Sequence, residues 1–141
     1  MNQKIIYTGA CFCGAVELKA EGEPILMGYC HCSSCRHWSG APVNAFALWN
    51  KGEVAVARGS ENIRTYNKTA DTFRKSCKTC GGHLFLEHPS MGLIDIRPAV
   101  MRRLAFKPEI HIFYAEAVMA IDDGLPKFGG MPDENEPVGG A

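Results

Sequence analysis

The chain has 141 residues, a length at which one compact domain buries roughly 70% of the surface its unfolded form exposes. Hydrophobic residues make up 46% and charged residues 21%, with 15 Gly and 8 Pro, a composition that excludes a disordered, coiled-coil or collagen-like chain. Fifteen Lys and Arg balance fifteen Asp and Glu, so no net field draws the chain to nucleic acid or anionic lipid, and neither partner is expected.

In chain order, Met1-Asn2-Gln3-Lys4 runs into the short Ile5-Ile6-Tyr7 segment with Gly9 close behind, which is not the pattern of a secretory leader. Cys11 and Cys13 follow, two apart, with Gly14 to fold the backbone tightly enough for both thiols to face one metal. Val16, Leu18 and Ala20 then alternate with Glu17, Lys19 and Glu21, the period of a strand with one buried and one wet face. Cys30, Cys32 and Cys35 form a tight trio, and a short helix is expected from Ser33-Ser34, capped by a hydroxyl and ended by Gly40. Residues 40–49 are the longest mostly apolar stretch, interrupted by Asn44 and far below the ~20 residues of a spanning helix, so a cytoplasmic location is expected.

Alternation returns at 53–56, at 93–97 and at 110–114, with Gly52, Gly59, Pro89, Pro98 and Pro108 as punctuation, and about eight strands are expected in all. Between 64 and 78 the chain carries Arg64, Lys68, Arg74, Lys75 and Lys78 against Asp71 alone, and Cys77 and Cys80 close that run as a CxxC followed by Gly81-Gly82. The last residues, 129–141, mix Gly, Pro and acidic residues and read as a surface strap or disordered tail beyond a single domain, 1–128.

An odd number of cysteines cannot pair completely within one chain, and a cytoplasmic location disfavours disulfides, so the seven thiols read as metal ligands. Four plus three is the division that zinc chemistry suggests: a structural site takes four tetrahedral ligands, often as two knuckles, and a catalytic one takes three protein ligands. Cys11, Cys13, Cys77 and Cys80 make the structural tetrathiolate, which staples positions 64 residues apart. Cys30, Cys32 and Cys35 hold a second zinc, either with three protein ligands or closed by an imidazole from His31, His37 or His83. A disulfide-exchange role for Cys77-Lys78-Thr79-Cys80 lacks the βαβ context such motifs need.

Three motifs together resemble the glutathione-dependent formaldehyde-activating enzyme family, which also contains centromere protein V-like proteins. Gly9-Ala10-Cys11-Phe12-Cys13-Gly14-Ala15-Val16 is similar to its opening knuckle, Cys30-His31-Cys32-Ser33-Ser34-Cys35-Arg36 to its central segment, and Cys77-Lys78-Thr79-Cys80-Gly81 to its late CxxCG. Weaker similarity continues through 108–113 and 123–128. The resemblance implies a mostly β fold of several small coiled antiparallel sheets, with a CxC/CxxC knuckle pair and one short helical turn. It implies the same two zinc ions on the same residues, with glutathione as co-substrate. It also implies a carbon-sulfur lyase-type activity joining glutathione and formaldehyde to S-hydroxymethylglutathione, on small-molecule thiol and aldehyde partners.

For that chemistry a thiolate nucleophile must form and the oxyanion on the carbonyl must be stabilised. Arg36, beside Cys35, is the candidate for charge compensation, and Arg74 and Lys75 are candidates for a glutathione carboxylate. His31 and His37 flank the trio, and isolated histidines on irregular segments are more often packing or surface residues. The alternative is a non-catalytic zinc module that binds a protein or carries a thiol adduct.

Overall fold

A computed structural model describes residues 3–132. Ten strands, β1 (Ile6–Ala10), β2 (Glu17–Glu21), β3 (Leu26–Cys30), β4 (Asn44–Asn50), β5 (Val54–Arg58), β6 (Ile63–Thr69), β7 (Thr72–Cys77), β8 (His83–His88), β9 (Leu93–Ile96) and β10 (Ile110–Ile112), fall into two sheets. Among the described residues one α-helix, α1 (Ser33–Ser39), interrupts them. The chain is mostly β, as expected, with ten strands among the described residues where about eight were expected.

Two compact units share the chain, each built from two separated stretches: residues up to Ile25 with Ala47–Phe106, and Leu26–Phe46 with the described residues from Lys107 on.

In the first unit, β1, β2 and β5 form a three-stranded antiparallel sheet, and the 47–50 part of β4 leads through β9, β8 and β7 to β6, each pair antiparallel. The alternation in β2 is realised as read: Leu18 and Ala20 are fully buried while Lys19 and Glu21 face water. With Val16, Trp49, Leu84, Leu86 and Ile96 they make an apolar core, each large side chain contributing about 1.5–3 kcal/mol of transfer free energy. The Trp49 indole donates to Gly22 O at 2.9 Å, so its one polar atom is satisfied. β9 departs from simple alternation. Asp95, expected on a wet face, is 6% exposed, pairs with Arg97 and accepts from the Ala47 amide at 3.3 Å, and a charge-assisted partner is what lets a carboxylate sit there.

The second unit has a different interior. β10 runs parallel to β3, with Ile110, His111 and Ile112 opposite Gly28, Tyr29 and Cys30, the one departure from antiparallel pairing among the strand pairs described above. The period of two read at 110–114 is present but its polarity is inverted: His111 is 0% exposed and its isoleucine neighbours are only half-buried. His31 and Lys127 are buried with it, so this unit closes over polar side chains, and Tyr29 stacks on His111 with ring centroids 5.0 Å apart. Residues 126–130 run alongside: His111 N donates to Pro126 O, Phe128 N to His111 O, and Phe113 N to Gly130 O. The expected tail therefore begins with Gly129 and Gly130 docked, and 133–141 lie outside the described residues.

The helix forms where expected but with another cap. Cys32, not a serine, is its N-cap, and its sulfur accepts from the Cys35 amide at 3.3 Å. Ser33 already lies inside the first turn, where its amide donates to Glu116 Oε1 at 2.8 Å. Gly40 ends the helix at φ +77, donating to Arg36 O, in the left-handed conformation that glycine adopts without a Cβ penalty.

Candidate metal centres

Each expected set of thiols is assembled, and each lies wholly within one unit. In the first unit the sulfurs of Cys11, Cys13, Cys77 and Cys80 all lie within 4.8 Å of one another. Cys13 stands 3.7 Å from both Cys11 and Cys77, which matches the edge of about 3.8 Å that a tetrahedron with metal-sulfur bonds of about 2.3 Å would have. These are far beyond the ~2.05 Å of a disulfide, and all seven cysteines are free.

Local backbone explains why these loops gather thiols. Cys11 N donates to Val16 O and Gly14 N to Cys11 O, while Cys77 N donates to Gly82 O and Gly81 N to Cys77 O, so the CxC and CxxC loops are closed by similar bonds. Gly14 and Gly81 take φ of +84 and +74, the left-handed region each turn requires. Amides then aim at sulfur: Val16 N at Cys11, Thr79 N at Cys77 and Gly82 N at Cys80, at 3.3–3.4 Å, with the Asn62 side-chain amide also 3.3 Å from Cys77. Such donors favour thiolate. The amide of Cys80 first, then that of Thr79, outweighs burial and lowers the Cys77 thiol to about 6. Cys13 goes the other way: although the Ala15 amide lowers it, burial and the neighbouring thiols push it up to about 11. Four thiols this close cannot all ionise without a cation among them, so the donor set fits a soft divalent metal.

In the second unit the sulfurs of Cys30, Cys32 and Cys35 also lie within 4.8 Å of one another. Cys30 ends β3, Cys32 caps α1 and Cys35 stands on its first turn, so strand, cap and helix each supply one donor. The Cys30 thiol is pushed up by its hydrogen-bonded neighbours Cys32 and Cys35 and then by burial, again a set that needs a cation to ionise. Among the described residues no imidazole or carboxylate stands in either group of thiols. His37 Nδ1 is instead 2.8 Å from Ser33 O, a bond made on its own helix. Three protein donors is the ligand number of a catalytic zinc site.

Arg36 lies next to Cys35 and donates twice to backbone: Nε to His31 O at 3.1 Å and Nη2 to Glu116 O at 3.2 Å. It ties the trio loop to the turn at Tyr114–Glu116. With His37, Gly40, Ala41, Pro42 and Val118 it also lines an open concavity of about 280 Å³. Arg74 and Lys75 stand on β7, in the unit that holds the four thiols rather than the unit that holds the trio. Lys75 is committed within its sheet, 3.1 Å from Glu87 and 2.9 Å from Thr65 Oγ1.

Sequence reasoning missed a chain of polar groups in the second unit. His31 is fully buried, its Nε2 is 2.9 Å from His111 Nδ1, and His111 Nε2 is 2.8 Å from Asp123 Oδ2. Lys127, 2% exposed, approaches the other Asp123 oxygen at 3.5 Å and donates to Leu125 O. The Tyr114 ring lies nearly perpendicular to both imidazoles, with ring centroids 4.7 Å from His31 and 5.6 Å from His111. Burial first, then the charges of His111, Lys127 and Arg36, depress His31 to about 4 and keep it neutral. The available signal was the pair of segments 108–113 and 123–128, which carry His111, Asp123 and Lys127 but no spacing rule that marks them as partners of His31.

Comparison with known proteins agrees with the cysteine pattern. Residues 6–116 match the sequence model of the family described as glutathione-dependent formaldehyde-activating enzyme. An uncharacterised lyase of Schizosaccharomyces pombe is 35% identical over 117 residues, 83% of this chain and 80% of that protein. A relative from Aspergillus flavus, provisionally named a glutathione-dependent formaldehyde-activating enzyme, is 30% identical over 89 residues, 59% of this chain and 47% of its own length. The crystal structure of a Rhodobacter sphaeroides protein is similar with a TM-score of 0.59 and 25% identity, covering 70% of this chain and 90% of that one. No helix among the described residues is long and apolar enough to cross a membrane.

Proposed function

The chain belongs to the glutathione-dependent formaldehyde-activating enzyme family, and from that premise we propose that it is a zinc-dependent carbon-sulfur lyase-type enzyme of glutathione and formaldehyde. The observation that carries the reading is the trio: three thiols gathered by β3, the cap and the first turn of α1, in a unit separate from the four-thiol cluster. Cys11, Cys13, Cys77 and Cys80 would hold a structural zinc and Cys30, Cys32 and Cys35 a second one.

In the joining direction the thiol of glutathione adds to the carbonyl carbon of formaldehyde. A carbon-sulfur bond forms, the carbonyl pair moves to oxygen, and that oxygen takes the proton the thiol gives up, so the product is S-hydroxymethylglutathione. Zinc held by the trio would supply the positive charge that favours thiolate over thiol at neutral pH. The chain's own part is to orient and to balance charge. The Cys35 amide steadies the Cys32 sulfur, and Arg36 holds the trio loop through His31 O. The concavity lined by Arg36, His37, Pro42 and Val118 offers room beside α1 for part of the tripeptide, with Arg36 its fixed cation.

Exchange spectroscopy on carbon-13 formaldehyde and glutathione tests this. The zinc-loaded protein should raise the rate of adduct formation and breakdown, and Cys32→Ser should return it to the rate without protein. A zinc-loaded protein that binds glutathione and leaves the exchange rate unchanged is a thiol carrier, and the enzyme reading falls.

A further inference from the structure

The donors of the trio belong to two separate pieces of backbone. Cys30 ends β3, whereas Cys32 and Cys35 travel with α1, tied to each other by the bond from the Cys35 amide to the Cys32 sulfur at 3.3 Å. That bond fixes the pair, but it does not fix where the pair stands relative to Cys30.

A single segment grips both pieces. β10 sets Ile112 opposite Cys30 in the parallel ladder, and Ile112 O also accepts from the His31 amide at 3.1 Å. The chain then turns at Phe113, whose φ of +53 is a left-handed conformation that a side chain disfavours and that persists only where the surroundings impose it. They impose it through Phe113 N, which donates to Gly130 O at 3.1 Å, and Tyr114 N, which donates to Phe128 O at 2.9 Å. The turn delivers Glu116 to the first turn of α1. There its Oε1 accepts from the Ser33 amide at 2.8 Å and its backbone O accepts from Arg36 Nη2 at 3.2 Å. The bond to Ser33 is charge-assisted, and it satisfies an amide that the helix itself leaves without a partner. Glu116 is exposed, so its side chain acts through that bond rather than by filling a core.

We propose that Glu116 is a positioning residue of the second metal site: it hangs from the strand that holds Cys30 and sets, through its bonds to α1, where Cys32 and Cys35 stand relative to Cys30. This role rests on the second metal site proposed above, not on the reaction carried out there.

Cadmium-113 resonances of the whole chain loaded with cadmium read the two donor sets separately, because the shift follows the number and geometry of the bound sulfurs. The parent chain should give two resonances, and the one lost in Cys32→Ser belongs to the trio. In Glu116→Ala the trio resonance should shift or broaden while the four-sulfur resonance stays in place. Glu116→Gln keeps a side-chain acceptor for the Ser33 amide and should return the trio resonance towards the parent position. A trio resonance that is the same in Glu116→Ala and the parent overturns the proposal, as does a shift of both resonances together, which reports the fold and not the site. A Glu116→Gln spectrum identical to that of Glu116→Ala also overturns it, since the bond would then not be what acts. Should Glu116→Ala fail to fold, Glu116→Asp, one methylene short of the Ser33 amide, must show the same selective shift. A single resonance in the parent chain removes the second metal site and the positioning role with it. Selective shifts as expected leave the role standing even where the formaldehyde exchange test fails.

Discussion

The Cys35 amide donates to the sulfur of Cys32 at 3.3 Å, so one prospective metal ligand caps the helix that carries another. A cap bond of this kind fixes two of the three donors relative to each other before any metal arrives, and it also stabilises charge on the Cys32 sulfur. The third donor, Cys30, is fixed separately, at the end of a strand paired with β10.

The two thiol sets should differ in what they do for stability. The zinc-supplied protein is expected to carry about two zinc ions per chain by elemental analysis, one for each donor set. Cys80→Ser should lose solubility or a large part of its thermal stability, because structural sites of this type supply ~10–16 kcal/mol of apparent binding free energy. Cys32→Ser should stay folded with about one zinc fewer. Equal destabilisation of the two variants in thermal unfolding would make the trio structural.

Arg36→Ala removes two charge-assisted bonds, to His31 O and to Glu116 O. The expected cost is about 1–3 kcal/mol in denaturant unfolding, together with weaker retention of zinc by the trio under chelator competition. Full stability with unchanged retention would mean that the guanidinium does not hold the loop.

Gly28 pairs with Ile110 in the parallel ladder, and a Cβ there would run into Ile110 O and come within 2.9–3.0 Å of the Phe46 ring. Since a strand backbone and a buried ring yield little, Gly28→Ala should cost on the order of 1–3 kcal/mol. Because the ladder holds Cys30 and His111 in register, the loss should be seen together with a loss of the trio's zinc and retention of the other. Unchanged thermal unfolding would show that β10 has moved aside without penalty.

Tyr7 gives a pH signature in the first unit. Its hydroxyl donates to both carboxylate oxygens of Glu23, and this bond, then burial, pushes its pKa up to about 12. A folded value above the unfolded 10 means that the native state keeps its proton after the unfolded chain has lost it. The associated stabilisation is complete below pH 10 and declines as pH rises towards 12, by on the order of 2–3 kcal/mol. Tyr7→Phe should flatten that decline in unfolding curves taken between pH 9 and 12, and parallel curves for the two proteins would rule the contribution out.

Much of this was legible from spacing, because cysteine ligands come in short loops whose geometry is local. Cys11 with Cys13 and Cys77 with Cys80 could be read as knuckles from Gly14 and Gly81 alone, and the trio from the helix that Gly40 ends. The Cys32 cap was not read, since sulfur is a rare cap beside two available serines, and it is the helical turn starting at Ser33, closed by the Arg36 amide on Cys32 O, that leaves Cys32 in the cap position. His111 was the larger miss. Its segment has the right period, but periodicity assigns the polar residue to solvent, and what draws this one inside is a partner 80 residues earlier and another 12 residues later. Asp95 was misplaced for the same reason, with Arg97 and the Ala47 amide as its buried partners. Local pattern shows when a residue alternates; it does not show which polar side chains find each other.

The four-thiol cluster draws on both ends of a long stretch, and this sets an order of events during synthesis. A ribosome has delivered every donor of the trio once Cys35 has emerged, but the tetrathiolate waits for Cys80, forty-five residues later. Until then Cys11 and Cys13 must remain reduced on an early hairpin, while three other thiols are already made. The nascent chain is therefore most exposed to oxidant and to the wrong metal pairing in that interval, and co-translational zinc supply, rather than the stability of the finished protein, should govern how much of it is recovered folded.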